Sequence, residues 1–375
     1  MKIDSITLRE IRMPLLHAFE TSFGRETDRH IILVTVRAGG VIGWGECVAS
    51  EHPYYSEESV GSAWHAMEQE LVPALLGKEV ERGADCAALF ARVRGNRMAK
   101  AALENAVWEA ESHARKLPLW KLLGGTRTEI ECGVSIGIQP SPEALEQKVE
   151  TELEAGYRRI KLKCKPGWDL KIFERIRQRW PEITLSCDAN SAYTTADFDH
   201  LQQFDQFRLL MIEQPLWHDD FFFHAQLQKR IQTKICLDEA IRNARDAEAA
   251  VELGACGIVN IKVGRVGGMS EAIRVHDVCQ ARGIPVWCGG MLESGIGRAQ
   301  NVALSTLKNF SLPGDVSASS RYWKEDIIEP EVTVSKQGAI AVPQSPGTGY
   351  RVKEDLIEKL TTRKKTFAAA RVGAL

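Results

Sequence analysis

RRIKLKCK (158–165), ITLSCDAN (183–190), RLLMIEQP (208–215), KICLDEA (234–240) and CGIVNIKVGR (256–265) follow one pattern, a short apolar run closed by a charged side chain. The closing residues are Lys163, Asp188, Glu213, Asp238 and Lys262, at steps of 25, 25, 25 and 24 residues. A strand of about five residues, a helix of about twelve and two short loops fill such a step, so each repeat reads as a βα unit. Continuous apolar runs mark parallel strands buried on both faces, where an unpaired charge costs several kcal/mol. Charges are tolerated where the strands emerge, which in a (β/α)8 barrel is the C-terminal face that carries active sites. Three carboxylates on consecutive strands make an all-oxygen set suited to a hard divalent cation, with a lysine on either side to exchange protons.

Outward from this core, the 375 residues leave about 125 beyond the roughly 250 of a barrel. Residues 1–50 alternate apolar and polar positions around Gly39-Gly40, an antiparallel meander, while 56–125 turn to helical spacing with the stripe Leu103, Ala106, Val107, Ala110 and Ala114. The fold class expected is α/β, a (β/α)7β TIM-type barrel over 126–320. An α+β capping domain over 1–125 is completed by the tail from about 321 to 375, whose EVTVSK and GAIAVP read as short strands. The first barrel strand is expected within 130–138 and the eighth within 309–319. LHAFETSFGRETDR (16–29) is expected to be a loop, with Phe19 and Phe23 over a ligand or folded onto their own domain.

With 48 Lys plus Arg against 50 Asp plus Glu and a net charge of −2, nothing favours nucleic acid or an anionic membrane as partner. A small-molecule partner is the default, and two lysines flanking a metal suit proton removal from a carbon next to a carboxylate. No run reaches the eighteen apolar residues of a membrane span and no signal peptide opens the chain, so a cytoplasmic location is expected. Nine cysteines without a C-x-x-C pair indicate neither a zinc knuckle nor a disulfide framework. Gly133 to Gly137 spells G-x-S-x-G, yet Ile136 to Ile138 continue extended and Pro140 delays the helix. Ser135 is therefore read as a hydroxyl near the pocket rather than a nucleophile. Lys161 and Lys163, two apart, point to one face; one lysine beside another, near a divalent cation, is discouraged from carrying its proton, which favours a base of lowered pKa.

KLKCKPGWD, DANSAY, IEQPL, LDEAI, NIKVGRVGG, GGMLESGIGRAQN and LPGDVSASSRYW resemble, in order and spacing, the muconate-lactonising branch of the enolase superfamily. Within it they look like the group of o-succinylbenzoate synthases and N-succinylamino acid racemases. FETSFG, PYYSEES and LPLWKLLGG resemble that family's capping domain, so the similarity spans the chain. The resemblance implies metal-dependent abstraction of a proton alpha to a carboxylate, with Lys163 and Lys262 as acid/base groups on opposite substrate faces. Asp188, Glu213 and Asp238 would hold Mg2+ (or Mn2+), and Lys161 would assist Lys163. Phe19, Phe23, Tyr54, Ser135, Met291 and Leu292 would line the pocket, supported by Asn190 and Glu239. It further implies the synthase step of menaquinone biosynthesis, N-acylamino acid racemisation, or both, in a homo-oligomer. Dipeptide epimerase and muconate cycloisomerase are weaker alternatives, since Gly314-Asp315-Val316-Ser317 lacks the Asp-x-Asp of an epimerase.

Overall fold

The computed structural model describes residues 1–21 and 24–369. Strands β1 (Ile3–Glu20), β2 (Arg25–Ala38) and β3 (Val41–Cys47) form the expected meander, turning between β2 and β3 on left-handed Gly39 and Gly40. The helix Arg97–Ala114 lies across it. A Cβ at Gly43 would stand 1.9 Å from the Ala106 carbonyl oxygen, and one at Gly45 equally close to that of Ala102. Two glycines in β3 thus set how closely helix and sheet pack. Of the helical stripe, Leu103, Ala106, Val107 and Ala110 are buried, while Ala114 is exposed at the frayed end.

Residues 16–29 are not the expected loop. β1 runs on to Glu20 and β2 starts at Arg25, with a shift in register between Pro14 and Phe19. The hairpin end projects away from the cap core, so its strands need no apolar face and can be polar on both sides. Phe23 lies outside the described residues.

Strand β4 (Glu129–Glu131) precedes a parallel seven-stranded sheet made of β5 (Gly133–Ile136), β6 (Arg159–Lys163), β7 (Thr184–Asp188), β8 (Ile212–Glu213), β9 (Ile235–Leu237), β10 (Ile258–Ile261) and β11 (Val286–Cys288). Every residue of these seven strands is buried except Thr184, as parallel strands clothed by helices require. The first barrel strand is shorter than 130–138, because Glu129 and Glu131 are exposed around buried Ile130, the alternation of a half-exposed antiparallel strand. The 309–319 segment is not a regular strand either. It closes the ring between β11 and β5 through isolated bridges, Phe310 to Val286 and Gly314 to Cys132. Pro313 brings no N–H to a ladder there, and Gly314 is pressed so close that a Cβ would lie 2.9 Å from the Cys288 carbonyl oxygen.

In the tail, β12 (Ile328–Glu329) pairs with β14 (Arg351–Val352), and β13 (Ala339–Ala341) pairs with β4. EVTVSK forms no strand. β15 (Thr361–Ala368) joins the free edge of β1, giving a cap sheet in the order β15-β1-β2-β3. Cap and barrel are joined by buried polar contacts at helix N-termini. Glu46 of β3 accepts from the backbone N–H groups of Ser294 and Gly297 and from the Ser294 hydroxyl, and Glu104 accepts from the Ser270 N–H. All nine cysteines are free and buried, and among the described residues no helix is long and apolar enough to cross a membrane.

Candidate active site

Parallel register sets the charged strand ends side by side. Lys163 of β6 pairs directly with Asp188 of β7, and Asp188 with Glu213 of β8. Asp238 and Lys262 follow immediately after β9 and β10 on the same edge. Where the strands exit, Asn190, Ser191 and Gln214 take the left-handed backbone region that non-glycine residues seldom occupy, as does Leu292 after β11.

Lys163 Nζ donates to Asp188 Oδ2 at 2.6 Å and to Asn190 Oδ1 at 2.5 Å, while Asn190 Nδ2 donates to Glu239 Oε1 at 2.8 Å. Lys161 Nζ stands 2.6 Å from Glu213 Oε2, 3.3 Å from Asp188 Oδ2 and 2.8 Å from Asp315 Oδ2. Across the row, Lys262 Nζ is 2.8 Å from both Asp238 Oδ2 and the Tyr55 hydroxyl, and Arg265 pairs with Asp238 Oδ1. Asn260 Nδ2 donates to Glu213 Oε1 at 2.7 Å.

Burial works against charge here, and its neighbours decide each outcome. Burial alone would lower Lys161, but Asp315, Glu213 and Asp188 outweigh it and hold the ammonium well above its ordinary value. Three carboxylates surround Lys161. Lys262 is likewise held up, its burial overcome by Asp238. Asp188 is kept below the usual carboxylate range against its burial by Lys163 and Lys161, and Asp238 by Arg265 and Lys262. Glu213 goes the other way, pushed up to about 7 by burial and by Asp188, and Glu239 to about 8 by burial and Asp238.

Among the described residues no three acidic, histidine or cysteine groups converge as a ready-made metal cage, and the oxygens of Asp188, Glu213 and Asp238 are taken up by lysine, arginine and asparagine. The donor chemistry nevertheless fits a hard divalent cation. Three carboxylates stand at consecutive strand ends, their repulsion adds to burial in raising Glu213, and Glu239 Oε2 is buried without a hydrogen-bond partner.

A cavity of about 350 Å³ opens above this edge, between barrel and cap. Lys163 and Lys262 form part of its wall with Asn190, Met291, Leu292, Phe19 and Tyr54. Ser135 is buried inside β5 beside Lys161 in register and is not among the residues of the cavity wall. Tyr54 lines the cavity at its lip, 68% exposed, and its neighbour Tyr55 lines it as well, reaching Asp238, Lys262 and Arg265.

Family models match the chain as the mandelate racemase / muconate lactonizing enzyme N-terminal domain over residues 3–124 and as enolase C-terminal domain-like over 144–356. The chain belongs to the enolase superfamily. It is 52% identical over 98% of its length to an o-succinylbenzoate synthase from Geobacillus kaustophilus, covering 98% of that protein. It is 45% identical over 99% of its length to an N-succinylamino acid racemase from Thermus thermophilus, covering all of it. A solved enolase-superfamily structure from Listeria innocua superposes with a TM-score of 0.95 at 40% identity, over 98% of this chain and 99% of the other.

Besides Tyr55, sequence reading missed Asp315, Arg159, Asn260, Arg265 and Gln214. Asp315 Oδ1 lies 2.8 Å from Arg159, whose guanidinium, like Lys161, stacks over Trp287. Gln214 Oε1 accepts from the backbone N–H groups of Asp238 and Ala240, lacing the β8 exit to Asp238. The available signal was a polar residue inside or just past an apolar run, as in IEQP and IVNIK. Weighing only charges at constant spacing left these neutral or off-phase residues out.

Proposed function

We propose that the chain abstracts the proton alpha to a substrate carboxylate, giving an enediolate, and works as an o-succinylbenzoate synthase. The reaction is dehydration of 2-succinyl-6-hydroxy-2,4-cyclohexadiene-1-carboxylate in menaquinone biosynthesis. The observation that carries this reading is the placement of Lys163 and Lys262 in one cavity wall, on either side of the carboxylate row. Lys163 takes the proton, then returns it to the departing hydroxyl on the same face; Lys262 is a fixed cation on the other. Mg2+ (or Mn2+) held by Asp188, Glu213 and Asp238 would supply positive charge beside the substrate carboxylate and the Lys163 ammonium, favouring the neutral amine there. Lys161 balances Glu213 and Asp315 and keeps Asp188 turned towards Lys163. On this reading the substrate is a free small molecule in the cytoplasm. The chain divides into a cap of 1–125 plus 321–375 and a barrel of 126–320.

Lys262 favours a second reading, racemisation of N-succinylamino acids, alone or beside the synthase activity. A proton must then be exchanged on both faces, and an ammonium stands at each. Deuterium oxide separates the two. A racemase exchanges the alpha proton of either enantiomer of an N-succinylamino acid. Its Lys163→Ala and Lys262→Ala variants each exchange only the enantiomer facing the surviving lysine and interconvert neither. If wild type dehydrates the cyclohexadiene rapidly and exchanges no N-acylamino acid, the synthase stands alone. If it does neither, the proposed chemistry is wrong.

A further inference from the structure

Charge in the cavity wall is almost fully compensated. Its acids are each paired: Glu26 with Arg29 at 3.0 Å, Asp28 and Glu51 with Arg12 at 3.6 and 3.8 Å. Of its lysines and arginines, Lys163 and Lys262 hold Asp188 and Asp238, and Arg29 holds Glu26, the Ser50 hydroxyl and the Val48 carbonyl. Among the described residues Arg25 is the one arginine or lysine of the wall without an acidic partner. It stands directly across the hairpin from Glu20, in register, yet no ion pair joins the two among the described residues.

The hairpin end that carries Arg25 is tied to the barrel rather than free. Ile138 N–H donates to the Glu20 carbonyl at 3.3 Å, while lower on the same strand Leu16 N–H donates to the Tyr322 carbonyl of the C-terminal segment at 2.9 Å. A Cβ at Gly137 would lie 2.8 Å from that same Glu20 carbonyl oxygen, so the barrel strand and hairpin approach closely. Arg25 is thereby held at the outer end of the cavity whose inner end carries the two lysines.

We infer that Arg25 is a specificity-determining residue that binds a second carboxylate, at the far end of the acyl arm of a dianionic substrate. This rests on the proposed function, in which the reacting carboxylate sits at the inner end and a succinyl arm points outward. A planar guanidinium is suited to take both oxygens of that carboxylate, whereas an uncharged acyl end would leave the positive charge at the lip unused.

The test compares N-succinyl- and N-butanoyl-phenylalanine, which differ in the terminal carboxylate against a methyl group, by calorimetric binding to the Mg2+-loaded protein. Wild type is expected to bind the succinyl compound about 10-fold more tightly, the size of one charge-assisted hydrogen bond at a partly open site. Added salt should shrink that preference. Arg25→Gln should abolish the preference while leaving butanoyl affinity unchanged, and Arg25→Lys should retain part of it. Equal affinities in wild type, failure to bind the succinyl compound, a preference surviving in Arg25→Gln, or equal weakening of both ligands would each overturn the assignment. Turnover is followed in parallel. Binding with the expected preference but without proton exchange or dehydration leaves Arg25 in place and sinks the proposed function instead.

Discussion

At the inner end of the cavity, Asp188, Glu213 and Asp238 are at most 1% exposed, and each accepts from at least one buried lysine. At the outer end, Arg25, His52 and Tyr54 are exposed, on a hairpin and loop held by a few backbone hydrogen bonds. The inner network is a lattice of ion pairs, with Lys161, Lys163, Lys262, Arg159 and Arg265 set against Asp188, Glu213, Asp238 and Asp315. Removing one partner there strands a buried charge, so the chemistry is fixed by a penalty that extends through the network. Contacts at the outer end are screened by water and salt, and each contributes little. One region sets the reaction; the other is free to adjust which substrate enters.

The comparison breaks first at Asp238. Asp238→Asn should lower kcat roughly 1,000-fold or more, equivalent to about 4 kcal/mol of transition-state stabilisation, because it removes a proposed metal ligand and the partner of Lys262 and Arg265. EDTA should abolish activity and added Mg2+ restore it. Full activity after exhaustive chelation would end the metal proposal.

A buried acid with only neutral donors offers a control. Glu104 accepts from Trp108 and Ser270, and burial pushes it up to about 7. Its folded value is raised above the unfolded one, so its contribution to stability is fully present below about pH 4.5 and is lost as pH rises through about 7. Both hydrogen bonds use Oε1, which Glu104→Gln keeps. The variant should be more stable than wild type at pH 8, by up to about 3 kcal/mol, and its melting temperature should vary less between about pH 5 and 8. Parallel melting curves for the two proteins would refute this.

Tyr55 crosses from cap to barrel, and its hydroxyl meets Lys262, Arg265 and Asp238. Tyr55→Phe keeps the ring over the Lys262 ammonium while removing that hydroxyl, and should slow exchange on the Lys262 face about 10-fold, leaving the Lys163 face within about twofold. Equal losses on both faces would make Tyr55 a packing residue. The smallest effect belongs to Phe19, on the hairpin. Phe19→Ala should raise KM by about 3- to 10-fold with kcat nearly unchanged, through lost apolar cover alone. An unchanged KM with a large fall in melting temperature would move Phe19 from the substrate to the fold.

Constant spacing was sufficient for the barrel and for its row of charges. Buried parallel strands admit a charge only where they end, so Lys163, Asp188, Glu213, Asp238 and Lys262 could be aligned without coordinates. The hairpin could not be read this way, since strands with no buried face carry no periodic signal and β1 and β2 continue through a polar stretch. Closure of the ring was also hidden, because Pro313 and Gly314 prevent a regular strand where the chain still bridges β11 to β5. That Tyr55 joins Tyr54 in the cavity wall and reaches Lys262 needed the direction of two adjacent side chains in a loop, which no local pattern fixes. Which oxygen each lysine holds, the raised proton affinity of Lys161 and the uncompensated charge of Arg25 all depend on residues far apart in the chain. Local sequence determined where charge could emerge; only the tertiary packing, of strand beside strand and of cap on barrel, decided what each charge would face.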